Sequence, residues 1–160
     1  MKGYPLASLL AIRSWREETA QRELEARREA VRQAENFLSD KRRERDDYAA
    51  WRPTEERALF ARIQNRLVAL AEVDDFKLSV QTLRAREAEL DEEVARAEKA
   101  LALAEEAREE ARVQAARAAR ERQKITEHGR IWDQAEARRL EHLAEAELEE
   151  FSGRVEGGGL

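Results

Sequence analysis

The sequence predicts an all-α protein, a long antiparallel two-helix coiled-coil hairpin with a short helix in its connector. Three observations lead there. Ala, Glu, Lys, Leu and Arg supply 104 of the 160 residues, well above the ~50% at which a long-helix or coiled-coil reading takes over. Helix breakers are scarce: there are two prolines and six glycines, and Gly153, Gly157, Gly158 and Gly159 all lie at the C-terminus. From Val73 onward, apolar residues recur with a period near 3.5. Large apolar side chains are too few for a compact globule, so the core must be a narrow seam.

The first helix is predicted over residues 6–51. Pro5 falls at or just before its first turn, where proline is tolerated. Glu18–Arg22 and Glu23–Arg27 add acid-before-base pairs at four-residue spacing on its outside. Pro53 is the predicted stop, because its ring disfavours a helical Arg52. Thr54, Glu55 and Glu56 then suit the start of a new helix, and Leu59, Ile63, Leu67 and Leu70 give that segment one apolar face. Residues 52–70 are therefore read as a connector, with a short helix and an irregular turn around Asn65–Ala69.

The second helix is predicted over 71–151, followed by a flexible tail at 152–160. Its core positions read Val73, Phe76, Val80, Leu83, Glu87, Leu90, Val94, Ala97, Leu101, Ala104, Arg108, Ala111, Ala115, Ala118, Arg122, Ile125, Gly129 and Trp132. Fourteen of these eighteen are apolar, a sustained heptad signal. A turn in the connector would place Leu24 opposite Arg96 and leave residues beyond about 115 overhanging. From Ala97 to Ala118 the seam is mostly alanine. Each alanine buries little area, so this stretch is expected to be weakly held.

Charge separates the segments. The chain carries 30 basic and 35 acidic residues, a net of −5, and residues 133–160 alone hold 3 basic and 8 acidic ones. No basic stripe suited to nucleic acid is visible. The absence of cysteine removes disulfides and thiolate chemistry and fits a reducing compartment. Residues 6–12 form the longest near-apolar run, too short to span a bilayer. Lys2 precedes that run, but Arg13 and the charged helix after it offer no signal-peptide cleavage site. A cytoplasmic protein without membrane insertion is expected.

Little in the pattern points to catalysis. His128 and His142 stand 14 residues apart, about 21 Å along a helix, too far to share one ion. They read as solvated surface histidines. The pairs Asp74-Asp75, Glu92-Glu93 and Glu105-Glu106 are adjacent in sequence, so their side chains diverge by about 100° and cannot form a catalytic dyad. No metal site, cofactor site or phosphate-binding glycine loop is expected. The aromatics stand out instead. Tyr48, Trp51, Phe60 and Phe76 fall near the turn, while Trp15 and Trp132 lie towards the other end. Trp51 and Phe60 suit either a small core at the turn or an interface anchor.

Three segments carry a family resemblance. They are Tyr48–Phe60, with Trp51-Arg52-Pro53-Thr54-Glu55-Glu56 and Leu59-Phe60; Glu72-Val73-Asp74-Asp75-Phe76; and Leu83–Leu90. With the acidic Glu147-Leu148-Glu149-Glu150-Phe151, they resemble the YscO family of type III secretion stalk proteins, related to the flagellar FliJ proteins. The likeness runs over nearly the whole chain to Phe151.

The resemblance implies a non-enzymatic stalk between a secretion ATPase hexamer and the cytoplasmic domain of the export gate. Tyr48, Trp51, Phe76, Leu83 and Glu87 would form or flank the gate contact. A fully buried Leu83 would be excluded from it. Glu145, Glu147, Glu149 and Glu150 would meet a basic collar of the ATPase, and some relatives also bind export chaperones. Two other readings stay open: a chaperone escort holding clients along the alanine-rich middle, and a generic coiled-coil scaffold.

Overall fold

The computed structural model describes residues 3–158. Two helices account for nearly all of them, α1 over Ala7–Ile63 and α2 over Leu70–Gly157. They run antiparallel and pack against each other as a hairpin, and no strand occurs among the described residues. The chain divides into two compact units: one is Leu24–Ala111, and the other combines the segments before and after it.

Pro53 does not end the first helix. It lies inside α1, which continues without a break to Ile63, so the helix expected within the connector is the last part of α1. A proline in a helix interior costs about 3 kcal/mol through a lost hydrogen bond and ring clash. Tertiary contacts on both sides of it oppose that cost. Arg52 is ion-paired to Glu56, one turn ahead at 2.7 Å, and to Glu87 on α2. Phe60 packs on Phe76 of α2, with ring centroids 6.0 Å apart.

The true connector is residues 64–69, close to the irregular turn expected there. The Gln64 N–H still donates to the Phe60 carbonyl at 2.9 Å. Asn65 then takes φ 58, a left-handed conformation that asparagine tolerates better than most side chains. The Ala69 carbonyl accepts from the Glu72 N–H at 3.0 Å and opens α2.

Moving the turn changes the register. Leu24 was expected at the level of Arg96, but Arg42, eighteen residues further along α1, is the residue that pairs with Glu98. Arg52 pairs with Glu87 and Glu17 with Arg122. The part of α2 that is exposed throughout therefore starts at residue 137 and not near residue 115. Helix also replaces the tail expected from residue 152, continuing through Gly157; residues 159–160 of that predicted tail lie outside the described residues.

The α2 seam follows the heptad reading. Leu90, Val94, Ala97, Ala111 and Ala115 are buried, and of the eighteen predicted positions only Arg108 is exposed. The α1 side of the Leu24–Ala111 unit supplies Leu24, Val31 and Leu38, all buried at heptad spacing. Leu38 packs with Val94, Ala97 and Leu101. At the start of the alanine stretch a large α1 side chain, Leu38, is thus set against the small Ala97.

Candidate functional site

Within the Leu24–Ala111 unit, the turn-proximal residues form one connected patch. Tyr48 is partly buried and donates its hydroxyl to the Leu83 carbonyl at 2.8 Å. Burial pushes its phenol pKa above the ordinary value by disfavouring the phenolate. The Trp51 ring lies 5.5 Å from the Tyr48 ring and is 47% exposed. Leu83 is only partly buried. Glu87 is engaged by Arg52, the residue after Trp51. Four of the five residues expected at a gate contact are thus neighbours.

Phe76 is not among them. Its ring meets Phe60, and both line a groove of about 790 Å³ with Val80, Arg57, Lys77 and Arg84. Phe60 is 48% exposed and Trp51 similarly so, so neither fills a closed core at the turn.

Sequence reasoning missed Arg52, Glu56 and Arg84 as a group. The Glu56 carboxylate accepts from Arg84 at 3.1 Å and from Arg52 at 2.7 Å. The signal was available: a charged Glu87 at a seam position requires a partner, and Arg52 stands at a seam position of α1. The hydrogen bond from Arg84, then that from Arg52, holds the Glu56 pKa below its ordinary 4.5. A depressed carboxylate adds stability that is present above the ordinary carboxylate range and lost as pH falls through the folded value. Glu56→Gln is accordingly expected to melt earlier than the parent at neutral pH, and the gap should narrow and close as pH falls below the ordinary carboxylate range. Thermal melts by circular dichroism at neutral and acidic pH check this; a gap independent of pH would remove Glu56 from the network.

The other unit carries the chain ends. Tyr4 is buried against α2, its hydroxyl 2.6 Å from His128 Nδ1 and its ring 5.7 Å from Trp132. His128 is exposed, as expected of a surface histidine, and it also meets the Tyr4 hydroxyl of the N-terminal segment. Gly129, next to His128 in sequence, is buried. Arg122 meets Glu17, and Arg13 meets Glu121 at 3.1 Å. Of the four charged or glycine interruptions in the predicted seam, only Arg108 is exposed; Glu87 and Arg122 each meet an oppositely charged residue of α1.

Beyond this, every residue from 137 to 157 is exposed. Leu140, Ala144, Leu148, Phe151 and Val155 follow helical spacing along one face of this stretch. The four glutamates expected at an ATPase contact do not share a face. Glu145 and Glu149 are one turn apart on one side, whereas Glu147 and Glu150 project about 160° and 100° away from Glu149. His142 lies 3.7 Å from Glu145. Among the described residues no cluster suits a metal ion and no helix is long and apolar enough to cross a membrane.

The family model for the type III secretion protein YscO matches residues 6–154. The chain belongs to the YscO family. Its fold is similar to that of the type III secretion protein YscO from Vibrio parahaemolyticus, with a TM-score of 0.83 and 26% identity over 91% of this chain and 92% of that one. It is also similar to a YscO homolog from Chlamydia trachomatis, with a TM-score of 0.76 and 19% identity over 96% of this chain and 94% of that one, a likeness of fold alone. A comparison with curated proteins finds no significant match. Family membership identifies a type III secretion component, and the resemblance carried by the Trp51–Phe60 and Val73–Phe76 segments is thereby upheld.

Proposed function

We propose that this YscO-family protein is a non-enzymatic stalk that links the secretion ATPase hexamer to the cytoplasmic domain of the export gate. It would work at the cytoplasmic face of the secretion apparatus, with export chaperones as further partners. The observation that carries the reading is the stretch of α2 past Trp132. It stays helical to Gly157 and wholly exposed from residue 137, with an acidic excess and an apolar stripe. Such a surface calls for a partner that is both apolar and basic. The turn-proximal patch, with its half-exposed Trp51, supplies a second and chemically different surface, as a linker between two partners requires.

The test is a chain ending at Trp132. It keeps every α1–α2 ion pair described above, and its melting should stay close to the parent's. Stimulation of ATP hydrolysis by the purified ATPase should be mostly lost, and in the full chain it should weaken with added salt, as contacts between exposed charges do. Undiminished stimulation by the shortened chain would place the ATPase contact elsewhere.

A further inference from the structure

We propose that the groove lined by Phe60 and Phe76 is a second docking surface, which takes an acidic amphipathic helix of a partner protein. It goes beyond the stalk reading, because the groove lies on the other side of the seam from Tyr48 and Trp51. Phe60 is nine residues after Trp51, two and a half helical turns, so the two rings leave α1 in opposite directions. On α2, Lys77 and Leu83 diverge by about 120° in the same sense.

The chemistry of the groove selects its occupant. Its floor is apolar: Phe60 and Phe76 in contact, with Val80 beside them. Its rim is cationic, formed by Arg57, Lys77 and Arg84. The one carboxylate on the lining, Glu56, is already held by Arg84 and Arg52, and so offers no free negative charge. Arg57 and Lys77 have no ion-pair partner among the described residues. In a chain with net charge −5, an apolar strip edged by Arg57 and Lys77, with Arg84 paired to Glu56, is a local reversal of sign. It fits a row of apolar side chains flanked by carboxylates. The long groove between two packed helices accepts a third helix, whose i, i+3, i+4 and i+7 residues enter it.

The experiment titrates the full chain into a labelled designed helical peptide, with Leu and Phe at three- and four-residue spacing flanked by glutamates. A second peptide carries lysines in place of the glutamates. The acidic peptide should bind more tightly than the basic one by about tenfold or more, and its binding should weaken with salt. The double variant Arg57→Glu/Lys77→Glu should lose on the order of tenfold in affinity for the acidic peptide while melting with the parent. Lys77→Glu alone should move the same preference less and decides the matter if the double variant is unstable. Trp51→Ala should leave peptide binding intact, which separates this surface from the gate patch. Equal binding of both peptides, or indifference to the rim substitutions, overturns the proposal. So does concentration-dependent self-association of the chain that Arg57→Glu/Lys77→Glu abolishes, since the groove would then belong to a second copy.

Discussion

Leu90→Ala is expected to cost about 2–5 kcal/mol, the usual range for emptying a fully buried leucine site. Leu90 is 2% exposed and the largest fully buried side chain among the described residues. A two-helix seam has no second layer that could collapse into the space, so the upper half of the range is expected. For a chain of this size the melting temperature should fall by roughly 5–15 °C. Leu103→Ala is the matched control, because Leu103 is 57% exposed and such surface changes usually stay within about 0.5 kcal/mol. Circular dichroism melts of the two variants beside the parent decide the point. Equal melting would mean that the seam does not carry the stability of its unit.

The part of this seam on α2 was legible in the sequence because a heptad needs only one strand of text. Val73, Leu90, Val94 and Ala111 declare themselves by period. The α1 side was harder to read. Leu24, Val31 and Leu38 keep the spacing, but Arg13, Glu17, Lys41, Arg45 and Arg52 occupy neighbouring seam positions. Their role appears only when the facing helix is known. Glu17 and Arg52 are answered by Arg122 and Glu87, so seam charges that look like interruptions on either helix alone become matched layers when paired. Polar layers of this kind favour one register over its neighbours, since any slip leaves charges in the seam without partners.

Pro53 was misread for a related reason. Local rules weigh the ring and the lost donor at that position, and they cannot weigh Phe60 against Phe76 or Arg52 against Glu87, which lie 16 and 35 residues apart in sequence. The misplaced stop moved the turn, and the moved turn shifted the whole register. The resemblance grouped Phe76 with Tyr48, Trp51, Leu83 and Glu87. The structure turns Phe76 towards Phe60 and the opposite side.

That separation sharpens the last expectation, for the gate contact under the stalk reading. Trp51 is half-exposed and touches its own helix neighbour Tyr48. Trp51→Ala should therefore cost stability by about 1 kcal/mol or less. If Trp51 anchors the gate, the same variant should lose ~2 kcal/mol of binding, about thirtyfold in Kd, as a central aromatic does. Phe76→Ala should behave in the reverse way. It removes a partly buried ring from the contact with Phe60 and is expected to cost about 2 kcal/mol of stability. Its effect on gate binding should be small, because its ring faces the groove and not Trp51. Melts of both variants, paired with titration against the isolated cytoplasmic domain of the gate, give four numbers. A Trp51→Ala chain that binds the gate normally would remove the Tyr48–Trp51 patch from the contact. A Phe76→Ala chain that loses binding while melting with the parent would move the gate contact to the groove side of the hairpin.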